Sequence, residues 1–165
     1  MKIKFSSLIF IALLSTLPLL GQRFTYSLER VVHSAGIQFS AGFFNGVGDN
    51  LQFHYSETIF PQPGERFLWG GHQYWNPSVS WRNKYKDWPS DRSEAFPLST
   101  SALAWTTDAW HLTNTLERTA HRITIVTYKQ PQGPGRGWKK LLDIGLMSLS
   151  YSAGWIAANS LTTKR

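Results

Sequence analysis

Cysteine is missing altogether, which removes disulfides, thiolate metal sites and cysteine nucleophiles from consideration. Charge is scarce as well: Asp, Glu, Lys and Arg make up 16% of the 165 residues, with 17 basic side chains against 10 acidic ones. The resulting +7 is scattered singly and in pairs, whereas a nucleic-acid binder of this basicity gathers Lys and Arg along one face. Nucleic acid is therefore not expected as a partner. Sparse positive charge among many aromatics suits anionic lipid headgroups better, so membrane lipids are the expected partner and any protein partner stays open. The standard catalytic signatures are missing too: there is no P-loop, no GxGxxG, no HExxH and no GxSxG, and no serine sits on a recognisable nucleophile turn.

What the chain has in excess is tryptophan, eight in all. Its start is a basic head, Met1–Lys4, followed by the apolar run Phe5–Leu20. That pattern reads as an uncleaved membrane anchor or a secretory signal over residues 1–21, the anchor being favoured because Leu19 is a poor −3 residue for cleavage after Gly21. Residues 22–165 then form one helical domain, since this length supports a single core.

Ser27 is a candidate N-cap for a long helix reaching about Ser56. Glycine and alanine are dense between Ala35 and Gly46, which weakens an isolated helix and makes sense where another helix packs closely. Gly42 and Gly46, with Gly36 and Ser40 before them, have the small-xxx-small spacing that lets two backbones approach. Phe60–Thr100 differs in kind, with five of the eight prolines and nine aromatics. Such aromatic content argues against disorder, so residues 60–98 are expected to be an ordered excursion between long helices, lying along a bilayer interface. A further helix is expected from Ser99 or Ser101 to about Arg122, with Ile123–Tyr128 open between fraying helix and short strand. After the break at Lys129–Gly137 comes a last helix, Trp138–Ser160, with Ala153, Gly154, Ala157 and Ala158 on the same small-residue spacing. The expected fold class is mainly α: three to four helices, a hydrophobic anchor plus a small bundle.

Candidate chemistry lies on the helices. Asp108 and His111, three apart, share a face, and Asn114, Arg118 and His121 continue it. Asn45, Asp49 and Gln52 line one side of the preceding helix, and His54 pairs with Glu57 near its end. Two facing helices each bearing a carboxylate and an imidazole suggest Asp49, His54, Asp108 and His111 as a polar or metal cluster, although the Asp-x-x-His order is the reverse of the di-iron motif. The first reading is a non-enzymatic membrane protein whose Asp and His residues lock helices together, with no cofactor. The alternatives are a metal-dependent membrane enzyme holding a divalent ion and acting on a lipid or envelope substrate, and a soluble secreted binding domain, which the mean hydropathy of −0.26 keeps open.

Three stretches carry a resemblance: AGFFNGVGDNLQFHY (Ala41–Tyr55), YWNPSVSWRNKYK (Tyr74–Lys86) and FPLSTSALAWTTDAWHL (Phe96–Leu112). They resemble the LQFHY, WNPxxSWRNKY and TDxWH blocks of a group of small, uncharacterised bacterial membrane proteins. The resemblance implies location in the membrane of the bacterial envelope and no particular activity. It marks Asp49, His54, Trp75, Asn76, Trp81, Arg82, Asn83, Tyr85, Asp108 and His111 as the matching positions. The chain departs from the pattern after Leu112, where TNTLERTAHR replaces an apolar span; this bears on whether that helix crosses the membrane.

Overall fold

Glycine at the points where helices cross decides how closely this chain can pack. The computed structural model describes residues 26–67, 70–85, 95 and 97–164. The apolar run Phe5–Leu20, and with it the choice between anchor and signal, lies outside the described residues, as does the second part of the aromatic segment at 86–94. The chain is mainly helical. Helix α1 spans Glu29–Phe53, the short helices α2 and α3 span His72–Trp75 and Pro77–Ser80, and α4 and α5 span Ala109–Thr127 and Arg136–Thr162. A two-residue antiparallel ribbon, β1 (Arg66–Phe67) with β2 (Gly70–Gly71), opens the segment between α1 and α4. Single-turn 3₁₀ helices cover Tyr55–Glu57, Trp81–Lys84 and Ala104–Thr106.

Two boundaries differ from expectation and one open choice is decided. Ser27 is not the cap of α1; Leu28 holds that position and makes no side-chain cap bond. The helix expected from Ser99 or Ser101 begins only at Ala109, because Asp108 takes the cap with its backbone extended (φ −160°, ψ 158°). Ahead of it, Ser99–Leu103 form turns. Ile123–Thr127 complete α4 as helix, so the strand alternative falls away.

Helix α1 is the centre of the bundle, with α5 on one side and α4 on the other. It runs parallel to α5, since Ala35 O accepts from Ser150 Oγ (2.7 Å) near one end and Asn50 Nδ2 donates to Thr162 Oγ1 (2.6 Å) near the other. It runs antiparallel to α4, where Gln38 Nε2 donates to Thr124 Oγ1 (2.9 Å) and Gly48 faces Thr113. The α1–α5 crossing is backbone against backbone. A Cβ at Gly42 would stand 1.9 Å from Tyr151 O, and one at Gly154 would stand 2.0 Å from Phe39 O. Gly46 meets Trp155 O and Ala158 Cβ at 2.8 Å by the same measure. The Gly42/Gly46 spacing is thus the contact surface, whereas Gly36 faces open space and Ser40 bonds back to Gly36 O.

The ends of the bundle are closed differently. At one end the buried Asp143 carboxylate takes both guanidinium nitrogens of Arg30, with Nη2 at 2.9 Å from Oδ1. Tyr26 OH donates to Oδ1 and Tyr128 OH to Oδ2, each at 2.6 Å, while Arg30 Nη1 also reaches Lys129 O at 3.1 Å. One carboxylate thereby joins the start of α1, the end of α4 and the first turns of α5. Asp143 carried no motif and is not among the sequence candidates. At the other end Thr58 bridges Thr163, Ile59 N donates to Thr162 O (2.8 Å), and a small core of Val47, Leu51, Phe60, Trp75, Ala109 and Ala158 forms.

Two predictions follow from these contacts. Gly42→Ala should destabilise the bundle by about 1–3 kcal/mol or more through overpacking against backbone, whereas Gly36→Ala should be neutral or stabilising by about 0.5–1 kcal/mol; denaturation in mild detergent compares the two. Burial, and next the hydrogen bond to Asp143, push the Tyr26 phenol from 10.0 up to about 12. A raised folded-state value means the stability from its proton is complete below pH 10 and lost as pH rises toward about 12. Tyr26→Phe should flatten the fall in melting temperature across that window.

Candidate functional site

The aromatic excursion is ordered by local polar contacts that its sequence dictates. Asn76 caps α3: its Oδ1 accepts from Ser78 N (2.9 Å) and Ser78 Oγ (2.7 Å), and Pro77 takes the first helical position, where no N–H is needed. Asn76 Nδ2 also meets His72 Nε2 at 2.8 Å. Trp75 stacks on Phe60 at 4.6 Å between ring centroids and belongs to the core. Trp81 donates its indole N–H to Ser78 O (3.1 Å), meets Tyr85 edge-on, and lies under the Arg82 guanidinium. Tyr85 also bridges to Ala95. Asn83 ties this segment to the next one: its Nδ2 donates to Thr107 O at 2.7 Å, and its Oδ1 accepts from Gln73 Nε2 at 2.7 Å. Thr107 is the residue before Asp108, so the excursion clamps the start of α4.

Asp108 is almost wholly buried there. Its Oδ1 accepts from the backbone N–H of His111 at 2.7 Å, the ordinary N-cap bond. The same carboxylate holds the His111 ring, with Nδ1 at 2.8 and 2.7 Å from its two oxygens, and Thr107 Oγ1 lies 3.1 Å from Oδ2. Because a carboxylate can only accept, Nδ1 of His111 is the donor in this contact and Nε2 is the ring nitrogen left for other partners. Nε2 makes no hydrogen bond with a described residue. The ring stands edge-on to Trp110 at 4.8 Å and is about one-third exposed, at 31%.

Both side chains line a half-open cleft of about 180 Å³ whose other walls are Gln52, Pro77, Ser80, Trp81 and Trp110. Gln52 Oε1 accepts from Trp110 Nε1 at 3.0 Å, which fixes the amide and leaves its NH₂ group as the free donor. Ser80 is 1% exposed, and its hydroxyl makes no hydrogen bond with a described residue. Every wall residue falls within one of the three stretches Ala41–Tyr55, Tyr74–Lys86 and Phe96–Leu112, which are distant in sequence and come together here and in the adjoining core.

The expected cluster of Asp49, His54, Asp108 and His111 is not gathered. Asp49 Oδ2 accepts from Trp155 Nε1 at 2.8 Å and serves the α1–α5 contact. His54 lies past the end of α1, exposed, with Glu57 at 3.9 Å. The reason is rotational: 49 and 54 are five apart, about 140° round the helix from one another, and Asp49 faces α5 while Gln52 faces α4. Asp108 is also no helix-face residue but the cap. Among the described residues no group of three or more His, Asp or Glu side chains is placed to hold a metal ion. The remaining stripe does other work. Asn114 bonds back to Trp110 O (2.8 Å), and His121 stacks on Tyr151, whose OH donates to Glu117 at 3.0 Å. Arg118 is exposed.

Ser80, Pro77 and Trp110 were not legible as site residues. The Asn76–Pro77 pair signals a helix start, but nothing local signals that the last residue of that helix lines a cleft with an imidazole from another segment. Compared with protein-family models, with curated proteins and with solved structures, the chain has no match in any of the three.

The cap and the ring contact make Asp108 the structural member of the pair. Asp108→Ala should cost about 0.5–2 kcal/mol from the lost cap alone. Asp108→Asn should recover most of that, and His111→Ala should cost less than Asp108→Ala. Thermal melts of the three variants check the order.

Proposed function

We propose that this chain is a membrane-associated helical protein that seats α5 in or against a bilayer and carries the Asp108–His111 cleft near the membrane surface. The observation that supports the reading is the coverage of α5. It is long and apolar enough to cross a membrane, yet only 17% of its apolar window is buried within the protein. A core helix of a water-soluble domain buries its apolar face, but here Leu141, Leu142, Ile144, Leu149, Ile156 and Leu161 all stand exposed. At the α1–α5 crossing the close contacts are made by small or polar residues, Gly42, Gly46, Gly154, Ala158, Asn50 and Thr162, with Val47 and Leu51 buried beside them. Large apolar residues outside and small or polar ones between helices is the arrangement of packing in lipid, where hydrogen bonds and close backbones hold helices together.

Dimensions agree with this reading. The 27 residues of α5 extend about 40 Å, more than the roughly 30 Å of a hydrocarbon core. Arg136, Lys139 and Lys140 at its start, with exposed Trp138, suit an anionic headgroup layer. Asp143 is then a paired intramembrane carboxylate, with Asp49–Trp155 a second inter-helix tie. These groups fit the non-enzymatic reading, in which polar residues lock helices. One observation favours chemistry at the other end: His111 presents an uncommitted nitrogen to a cleft, and no metal ion is needed to put it there.

Alkaline carbonate extraction of membranes from an expressing cell tests the proposal. The protein should stay with the membrane pellet. In a chain lacking residues 1–21, so that the apolar run Phe5–Leu20 cannot hold it, Leu149→Arg with Ile156→Arg should move it to the supernatant, since an Arg near a span's centre costs about 2.5–3.5 kcal/mol on insertion scales. Release of the unaltered chain would sink the membrane reading in favour of a secreted soluble domain.

A further inference from the structure

We propose that the cleft is an acyl-transfer site that hydrolyses esters of apolar acyl chains, with Ser80 as nucleophile, His111 as general base and Asp108 as the group that orients the base. The argument starts from two uncommitted polar groups facing one space. Ser80 is 1% exposed and its hydroxyl has no hydrogen-bond partner among the described residues, although it lines the cleft. Its residue is on the cleft wall, so the hydroxyl is placed where a ligand could reach it. The second group is His111 Nε2, whose position is set because Nδ1 is bound at 2.8 and 2.7 Å to the two oxygens of a buried carboxylate. Carboxylate, imidazole and hydroxyl on the walls of one cleft make the constellation in which an imidazole activates a serine, recognised by roles and geometry whatever the fold. Ser80 Oγ and His111 are not hydrogen-bonded to each other; catalytic bonds of this kind commonly tighten only in the substrate complex.

The chemistry balances with these groups alone. His111 Nε2 takes the Ser80 proton as Oγ attacks the ester carbonyl carbon, forming the new C–O bond. Collapse of the tetrahedral intermediate breaks the bond to the leaving alkoxide, which receives the proton from His111. Water then repeats the sequence: His111 takes its proton, hydroxide attacks the acyl-serine, Oγ leaves with the proton, and a carboxylic acid is released. The NH₂ of Gln52, on the cleft wall, is the donor for the developing oxyanion, since its carbonyl oxygen is already bound to Trp110.

The substrate class follows from the walls. Trp81, Trp110 and Pro77 supply apolar surface, and among the described residues no Lys or Arg lines the cleft to favour an anionic substrate. At about 180 Å³ the cleft is smaller than the ~300–1,000 Å³ of sites that enclose drug-sized ligands. It therefore takes the reacting end of a molecule and leaves the chain outside. Asn50–Thr162 and Gln52–Trp110 put the cleft at the level of the end of α5. Thr162 stands 19 residues beyond Asp143 on that helix, about 29 Å along it. An acyl chain could thus extend from the cleft into the hydrocarbon that α5 occupies; only this assignment of a long acyl chain rests on the membrane reading.

The test uses the full chain in mild detergent and a long-alkyl fluorophosphonate, which reacts with activated serines. Mass spectrometry should find one adduct, on Ser80, that a long-chain ester slows by competition. Ser80→Ala should abolish it, and His111→Ala should slow it by roughly 10²–10⁴-fold and remove the titration from its pH–rate profile. Asp108→Asn should slow it while the melting temperature stays near that of the unaltered chain, which separates orientation of the base from folding. A folded, unaltered chain that stays unmodified, or is modified elsewhere, overturns the proposal. Because labelling is done in detergent, it fails or succeeds independently of carbonate extraction, and a methyl in place of the long alkyl group reports whether the chain matters.

Discussion

The backbone-to-backbone contact between α1 and α5 is the constraint on which the remaining geometry depends. With Gly42 against Tyr151 O and Gly154 against Phe39 O, the two helices approach until no side chain intervenes. That distance puts Asp49 within reach of the Trp155 indole, Asn50 within reach of Thr162, and Arg30 within reach of Asp143. A crossing this close has few alternative registers, because sliding one helix along the other would drive a Cβ into a carbonyl. The register in turn sets where the last turn of α1 ends, and so where Gln52 meets Trp110.

The two ends of the bundle express opposite uses of the same residue types. Asp143 is saturated: both oxygens are engaged twice, by Arg30 and by two tyrosines from neighbouring segments. A buried charge so completely paired can hold segments together without inviting a ligand. Asp108 is also buried and also bound, yet the imidazole it holds is bound on one side only. The difference is access. Around Asp143 three helices close over the carboxylate; around His111 the aromatic excursion stands off far enough to leave a cleft. Asn83 is what holds that wall in position, through Thr107 O.

The excursion therefore has a structural part and a wall-forming part. Trp75, stacked on Phe60, and Asn76, capping α3, belong to the first; Pro77, Ser80 and Trp81 belong to the second. Its prolines were readable as a break between helices and its aromatics as signs of order, while the Asn76 cap emerged only in the structure. That the same dozen residues would face the start of α4 was not readable, since no local propensity encodes which distant segment a loop meets. The cluster of Asp49, His54, Asp108 and His111 failed on the same ground: residue types suited to one site were present, but helix rotation turned Asp49 toward α5 and chain direction carried His54 beyond the helix end.

The sequence by itself determined the helical class, the breaks at proline and glycine, the small-residue spacing of α1 and α5, and the i,i+3 pairing of Asp108 with His111. These are matters of backbone propensity and of spacing along one helix, which local chemistry controls. The tertiary structure decided which glycines lie at the crossing, since Gly36 has the same spacing as Gly42 and touches nothing. It also decided that Asp143 is the tie between helix ends, and that Ser80 and His111 share a space. Those outcomes depend on the relative rotation and register of whole elements. They are fixed by the sum of many packing contacts between segments far apart in the chain, and no window of sequence contains them.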